Sequence, residues 1–109
     1  MVYLHVSFTV DAHNLDLYEE IFRSEFAPVL AEHGFHAIGI WKTLVGPAGE
    51  YIEIWRFESA MDYETRWNLM SRDPRVKAIL AKTGPLVRNE QFRLLTDASI
   101  WPASVEKTV

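Results

Sequence analysis

The stretch "FHAIGIWKTLVGPAGEYIEIWRFES", residues 35–59, decides the fold that this sequence predicts. On each side of "GPAG", β-branched and aromatic residues recur at the spacing of a strand, which is typical of an antiparallel hairpin. The second strand, residues 50–57, places Glu53 between Tyr51 and Trp55 on one face. The other face carries two isoleucines, which suit a packed core. We therefore expect Glu53 to line a cavity.

The residues before the hairpin predict one strand and one helix. "VYLHVSFTV", residues 2–10, alternates between two sets of side chains, which is the period of a strand. Over residues 15–33, apolar side chains recur at steps of three and four, the spacing of one helix face. We expect Asn14 to cap this helix, Pro28 to bend it and Gly34 to close it.

The residues after the hairpin predict a helix in two pieces and a last strand. Ser59 and Asp73 suit the N-caps of the two pieces, and Pro74 suits a first helical position. The last strand covers residues 88–95. The order β-α-β-β-α-β predicts an α+β, ferredoxin-like domain with an antiparallel sheet and helices on one face.

Composition limits the classes of protein that this chain can form. A length of 109 residues with 49% hydrophobic content predicts one domain over residues 1–109, with a core at 2–95 and a tail at 96–109. A net charge of -4 without a basic cluster argues against nucleic acid and membrane as partners. The absence of cysteine excludes disulfides and thiolate nucleophiles. With no long apolar run and no basic start, we expect a soluble, cytoplasmic protein.

The sheet face away from the helices is predicted to need a cover. Trp41, Tyr51, Trp55 and Phe57 on this face would form a larger apolar patch than monomers usually expose. Sheet-to-sheet pairing with a second copy is the simplest cover, so we expect a homodimer. We expect the tail, with Trp101, to lie against the partner subunit or the rim of the barrel, and a frayed end is the alternative.

The stretch "HGFHAIGIWKTLVGPAGEYIEIWRFES", residues 33–59, resembles the core of the NIPSNAP family. In that family a helix ending in His-Gly leads into a strand with Gly and Trp, a Gly-Pro turn and a strand ending Leu-Trp-x-Tyr. The resemblance continues through "RDPRVKAILAKTGPLV" and "RLL" and covers residues 2–95. It implies a dimeric α/β barrel in which each subunit has a pocket between sheet and helices.

The superfamily that the resemblance implies contains several chemistries. Its members include cofactor-free monooxygenases, haem-degrading and haem-dependent enzymes, lactone isomerases and EthD-like proteins, so the fold does not select one reaction. This chain also departs from the family pattern. Leu4, Val6 and Phe8 replace a common Glu-x-Arg-x-Tyr alternation, Glu53 replaces a frequent His, and Gln91 replaces a frequent acid. The family register then implies an apolar, Trp-lined cavity with one central carboxylate.

A carboxylate in such a cavity suits acid–base chemistry, because burial raises its pKa toward neutrality. We therefore predict a small cofactor-independent enzyme, an isomerase, cyclase or monooxygenase-like tailoring enzyme, with Glu53 as general acid or base on a lipophilic small molecule. The residues that we expect to bind the substrate are Trp41, Tyr51, Trp55, Phe57, Leu4, Val6, Phe8, Gln91 and Arg93. Alternatively, Glu53 pairs with Arg56, Arg88 or Arg93, or points to solvent.

His5 is the second candidate catalytic residue. Alternation alone packs Leu4, Val6 and Phe8 against the helices and turns His5 to the cavity, whereas the family register implies the reverse. Strands one and three are neighbours in the order 4-1-3-2, so the first arrangement allows a Glu53–His5 dyad. A buried histidine that bonds to a backbone carbonyl is the alternative.

The sequence predicts no cofactor. No His-x-His or His-Glu-x-x-His spacing indicates a metal site, and no glycine-rich phosphate loop, nucleophile elbow or dinucleotide motif is present. An aromatic cavity has room for haem, but no histidine is clearly placed as an axial ligand. The alternative to an enzyme is a non-catalytic protein that binds a hydrophobic ligand or a protein partner through its aromatic surface.

Overall fold

The computed structural model describes residues 1–102. The described residues form four strands and four α-helices in the order β1-α1-α2-β2-β3-α3-α4-β4. The strands are β1 (Val2–Val10), β2 (His36–Lys42), β3 (Glu50–Phe57) and β4 (Val87–Thr96). The α-helices are α1 (Leu15–Ile21), α2 (Ala27–Glu32), α3 (Ala60–Arg72) and α4 (Pro74–Thr83). A π-helical segment (Phe22–Phe26) joins α1 to α2, and 3₁₀ turns occupy Ala12–Asn14 and Gly84–Leu86.

The four strands form one antiparallel sheet in the order β2-β3-β1-β4. The helices cover one face of this sheet, which is the ferredoxin-like α+β arrangement that the sequence predicts. β1 lies in the centre, between β3 and β4. Its register places Val6 opposite Glu53 on one side and opposite Phe92 on the other. Three strands therefore bring their side chains to the same point under the helices.

The helix-covered face carries the aromatic side chains of the hairpin and not its isoleucines. Tyr51, Trp55 and Phe57 are buried, whereas Ile52 and Ile54 are only half-buried on the opposite face. The prediction that the isoleucines form the core is therefore wrong. A physical reason is size, because large aromatic side chains bury more apolar area and fill the space beneath the helices.

The uncovered face consequently differs from the patch that the sequence predicts. Of the four aromatic residues expected there, only Trp41 lies on it, paired in register with Ile52 and 51% exposed. The indole ring of Trp41 covers Gly39, where a Cβ would lie 2.2 Å from the ring. Leu95 on β4 adds a further exposed apolar side chain beside Tyr3. The face is thus apolar in part, but with a different set of residues.

The first helical region is interrupted where the sequence predicts a bend. The π-helical segment ends immediately before α2, and Pro28 lies in the first turn of α2. Proline has no N–H to donate to the preceding turn, so the regular α-helical ladder cannot pass through it. Gly34 closes the region with a φ of 78°, as predicted. Asn14 makes no side-chain cap, which corrects that prediction; its backbone N–H bonds to Asp11 instead.

The caps predicted for the other two helices are confirmed. The hydroxyl of Ser59 accepts a hydrogen bond from the backbone N–H of Asp62 at 3.0 Å. The carboxylate of Asp73 accepts one from the backbone N–H of Arg75 at 2.9 Å, and Pro74 is the first residue of α4. These bonds satisfy N–H groups that have no partner within a helix.

β4 contains a bulge that the sequence did not predict. Ser7 pairs with Gln91 and Thr9 pairs with Arg88, so two residues of β4 stand opposite Phe8 alone. One of the two, Asn89, has a φ of 55°, in the left-handed region. After the bulge, Glu90 and Phe92 share the face of β4 that meets the helices.

The chain after β4 has no helix or strand as far as residue 102. Trp101 is 63% exposed there. The prediction for the tail at 96–109 falls partly on residues 103–109, which lie outside the described residues. Within residues 1–102, no helix has the length and apolarity needed to cross a membrane.

Candidate ligand-binding cavity

A cavity of about 310 Å³ lies between the sheet and the helices. Its floor is formed by strand residues, among them Leu4, Val6, Phe8 and Trp55. Phe22 and Phe26 of the π-helical segment, with Trp67 and Met70 of α3, contribute the helical side. Nearly all of this lining is apolar, which suits a lipophilic ligand.

Glu53 is the buried carboxylate of this cavity. Its residue is 7% exposed, and β3 directs it toward the helices between Tyr51 and Trp55. The indole N–H of Trp55 donates a hydrogen bond to Glu53 Oε1 at 2.9 Å. Among residues 1–102, no other side chain or backbone group bonds to this carboxylate. The second oxygen is therefore open to a ligand.

Burial raises the pKa of Glu53 to about 7. The hydrogen bond from Trp55 acts in the opposite direction and lowers the pKa, while the negative charge of Glu90 raises it. Removal from water dominates, because a charged carboxylate is poorly solvated among apolar side chains. Near neutral pH the group can therefore both accept and release a proton.

Tyr18 brings a second polar atom to the cavity. The pKa of its phenol lies well above the ordinary value, mainly because the group is buried. The negative charge of Glu53 raises it further. The ring is held between Phe8 and Tyr51, with centroid distances of 5.3 and 5.6 Å. No hydrogen bond contributes to the rise in pKa, and because no fully buried side-chain oxygen within residues 1–102 lacks a partner, the hydroxyl is not sealed from the cavity. Tyr18 is thus a protonated donor that is free to bind a ligand.

A more open cleft of about 360 Å³ adjoins the cavity. Both spaces are lined by Tyr18, Phe22 and Glu53, so these residues form the wall between them. On the cleft side, Glu19 accepts hydrogen bonds from the hydroxyl of Tyr51 at 2.5 Å and from Lys42 at 3.0 Å. Both bonds lower the pKa of Glu19, and the bond from Tyr51 has the larger effect.

The structure divides the substrate-binding candidates between several places. Leu4, Val6, Phe8 and Trp55 line the cavity with Glu53. Tyr51 and Trp41 line the adjoining cleft instead. Phe57 does not line the cavity and lies in the core, where its ring meets those of Phe35 and Tyr63 at 5.2 and 5.3 Å.

The remaining candidates, His5, Gln91 and Arg93, lie on the uncovered face. In the sheet, His5 lies between Ile54 of β3 and Arg93 of β4, and Ser7 lies opposite Gln91. Glu53 instead lies opposite Val6, the residue between His5 and Ser7. Because successive strand residues point to opposite faces, the side chains of His5 and Glu53 are separated by the sheet. The structure therefore does not form the Glu53–His5 dyad.

The two arrangements considered for β1 are not true alternatives. Leu4, Val6 and Phe8 both pack against the helices and line the cavity, because the cavity is on the helix-covered face. The expected arginine partners also fail to reach Glu53. Arg88 pairs with Asp11, and within residues 1–102 no ion pair involves Glu53.

Several lining residues were missed by the sequence predictions. Tyr18, Phe22 and Phe26 follow the helix-face spacing, but that spacing does not separate core from cavity. Glu90 also lines the cavity, two residues before Phe92 on the same face of β4. The alternation of β4 was therefore the available signal for Glu90.

No group of three or more His, Asp or Glu side chains that could hold a metal ion occurs within residues 1–102. The closest histidine–carboxylate contact joins His33 Nε2 to Asp73 Oδ2 at 2.9 Å, between the end of α2 and the start of α4. Asp73 also caps α4 and bonds to Arg75, so its contacts link helices together. This cluster is a packing contact outside the cavity.

Comparison with known proteins identifies relatives by sequence and by fold. The NIPSNAP family model matches residues 3–102. No curated protein sequence matches the chain significantly. Protein Atu4242 from Agrobacterium tumefaciens has a similar structure, with a TM-score of 0.85 at 22% identity, covering 94% of this chain and 98% of that chain.

Two further structures extend the likeness of fold. A NIPSNAP domain protein from Burkholderia xenovorans has a TM-score of 0.84 at 15% identity, covering 94% of this chain and 99% of its own. A protein from Nitrosomonas europaea, provisionally named an antibiotic biosynthesis monooxygenase, has a TM-score of 0.67 at 10% identity. The match covers 90% of this chain and 99% of that chain. At these identities the likeness concerns the fold alone.

Proposed function

This chain belongs to the NIPSNAP family, and we propose that it acts on a lipophilic small molecule in the sheet–helix cavity, with Glu53 as general acid or base and no cofactor. The observation that carries the proposal is the carboxyl of Glu53, buried in an apolar cavity with one oxygen open to a ligand. The fold that it shares with proteins named as antibiotic biosynthesis monooxygenases is compatible with a small-molecule tailoring role.

The cavity supports proton transfer at carbon. A ketone whose apolar part fills the cavity places its carbonyl group beside Tyr18 and Glu53. The phenol of Tyr18 donates a hydrogen bond to the carbonyl oxygen, where negative charge develops as the proton leaves. Glu53 takes the proton from the adjacent carbon and returns it to the same or another carbon, so an isomerisation or cyclisation needs no external oxidant or reductant.

The test of catalysis is deuterium exchange. The full chain is incubated in deuterated buffer with lipophilic ketones such as 2-acetylnaphthalene, and loss of the methyl proton signal is followed by NMR. We expect exchange above the buffer rate in the parent protein, and a loss of about 10²- to 10⁴-fold in Glu53→Gln, the usual contribution of a general base.

Glu64→Gln is the matched control, because Glu64 is an exposed carboxylate of α3 outside the cavity. It should leave the exchange rate unchanged. If Glu64→Gln and Glu53→Gln lose the same activity, or if the parent protein binds ketones without exchanging any of them, the catalytic role of Glu53 is refuted. The second result favours the alternative function, a non-catalytic protein that binds a hydrophobic ligand.

Binding itself is tested by filling the cavity. Leu80 lines the cavity and is 49% exposed, so Leu80→Trp should obstruct it without disturbing the buried core. Leu44 lies in the loop after β2 and is 97% exposed, which makes Leu44→Trp a control with the same change of residue. Calorimetry should give weaker binding of 2-acetylnaphthalene to Leu80→Trp only. Equal binding to both variants would place the ligand elsewhere.

We further propose that a second copy of the chain covers the open face of the sheet. Trp41, Ile54 and Leu95 on that face form an apolar surface that pairing would remove from water. Leu95→Lys should therefore shift the mass measured by light scattering toward the monomer, whereas Leu44→Lys should not. A parent protein that stays monomeric at high concentration would refute the dimer.

A further inference from the structure

The ionisable groups that line the cavity are all acids. Among residues 1–102, the lining contains the carboxylates Glu53 and Glu90 and the phenol Tyr18, but no lysine, arginine or histidine. Each of these groups is either neutral or negative. A ligand in the cavity therefore meets no positive charge from its walls.

Glu90 reaches the cavity from β4. It lies two residues before Phe92 on the face of β4 that meets the helices, beside the bulge where Asn89 and Glu90 together stand opposite Phe8. Glu90 is exposed to solvent and also lines the cavity, so it lies at the mouth. Its carboxylate therefore lies close to a ligand that extends from Glu53 toward solvent.

The cations of the adjoining cleft, Lys42 and Arg23, are already bound to carboxylates. Lys42 bonds to Glu19 at 3.0 Å, and Arg23 bonds to Glu20 at 3.3 Å and approaches Glu19. The hydroxyl of Tyr51 also donates to Glu19. No ion pair within residues 1–102 involves Glu90, and its negative charge acts directly on Glu53.

We propose that Glu90 is a specificity-determining residue that excludes acidic ligands, so that the substrate is a lipophilic compound whose polar group is neutral or cationic. A carboxylate ligand would be removed from water and placed beside two carboxylates without a counter-ion. The buried charge of Glu53 repels strongly because the apolar walls screen it poorly, and the exposed charge of Glu90 adds a weaker, partly screened repulsion. This inference rests on the proposed function, since it concerns the ligand of the same cavity.

Three ligands with one aromatic skeleton test the proposal. They are 1-naphthalenemethanol, 1-naphthylmethylamine and 1-naphthoate, which carry a neutral, a positive and a negative group. Calorimetry with the full chain at about pH 8, where free carboxyl groups are ionised, gives the three dissociation constants. We expect the alcohol and the amine to bind, and the carboxylate to bind at least about tenfold more weakly than the alcohol.

Substitution of Glu90 then tests the residue. Glu90→Gln should strengthen binding of 1-naphthoate by roughly tenfold, weaken binding of the amine and leave binding of the alcohol unchanged. Glu64→Gln is the control and should change none of the three. Glu90 is exposed, so its substitution does not disturb the buried core.

The outcomes separate this inference from the proposed function. If 1-naphthoate binds the parent protein as tightly as the alcohol, or if Glu90→Gln alters all three ligands equally, charge selection by Glu90 is refuted while binding in the cavity stands. If none of the three ligands binds, the proposed lipophilic site is refuted, and the inference about its ligand falls with it.

Discussion

Substitution of Glu53 by Gln should change how the stability of the fold depends on pH. Burial raises the pKa of Glu53 from an ordinary value of 4.5 to about 7. One pKa unit corresponds to about 1.4 kcal/mol, so this rise corresponds to about 3 kcal/mol of free energy of unfolding. Glutamine has the same shape, never ionises and can accept the same hydrogen bond from Trp55.

The direction follows from proton binding. Between pH 4.5 and about 7, the folded protein keeps the proton of Glu53 while the unfolded chain has lost it. The folded state therefore binds more protons, and its stability falls as pH rises through this window. Below the window, Glu53 is neutral in both states and no penalty exists. Above it, the parent protein carries the full cost of a buried charge and the glutamine variant does not.

Urea denaturation followed by tryptophan fluorescence measures this difference. At about pH 4.5 the two proteins should have nearly equal free energies of unfolding, and at about pH 8.5 Glu53→Gln should be more stable by about 3 kcal/mol. Titrating groups that do not interact with Glu53 are common to both proteins and cancel in the difference. Glu64→Gln should track the parent protein at every pH. A stability difference for Glu53→Gln that does not grow with pH would refute the burial of an ionisable Glu53.

Three further predictions concern single contacts. Trp55→Phe removes the indole N–H that stabilises the Glu53 carboxylate, so a carbon-detected NMR titration should show a higher pKa for Glu53 than in the parent protein. Gly49→Ala should lower stability by more than about 1 kcal/mol in urea, because φ is 76° and a Cβ would lie 2.1 Å from a backbone oxygen of β1. Gly84→Ala is its control, since nothing lies within 4 Å of a Cβ there, and equal losses in the two variants would refute the steric explanation. Ser59→Ala should cost about 1 kcal/mol through loss of the α3 cap, which a Ser59→Asn variant should restore.

The elements of the fold could be predicted from sequence because local signals specify them. β1 shows strict alternation, and Ser59, Asp73 and Gly34 have side chains or backbone freedom suited to helix ends. Asn14 has the same kind of side chain as a capping residue, yet the 3₁₀ turn before α1 supplies the bond in its place. Local signals thus predicted where elements lie more reliably than how each one begins.

Which face of β3 packs against the helices could not be predicted, because both of its faces are apolar. Ile52 and Ile54 suit a core as well as Trp55 does, and alternation separates the two sets without saying which meets the helices. The sheet register decides it by placing Leu4 beside Trp55 and Val6 beside Glu53. Long-range pairing of this kind leaves no trace in a single strand.

The candidate site was predicted in part for the same reason. Glu53 and Trp55 follow from alternation and lie in the cavity, whereas the proposed approach of His5 to Glu53 is contradicted by the register. Glu90 shares a face of β4 with Phe92 by alternation, but alternation does not separate a residue of the cavity from one of the core. Tyr18 was recognised as part of a helix face, but its place at the wall between cavity and cleft depends on tertiary packing.

The central claim is that Glu53 is a buried, titratable carboxyl group in contact with a ligand. Its most direct test is a side-chain carbon NMR titration of the parent protein, with Glu53→Gln to assign the resonance, in the presence and absence of 1-naphthalenemethanol. The account predicts a pKa of about 7 for free Glu53 and a higher pKa with the ligand, which removes more water from the carboxylate. A pKa near 4.5 that the ligand does not change would contradict it.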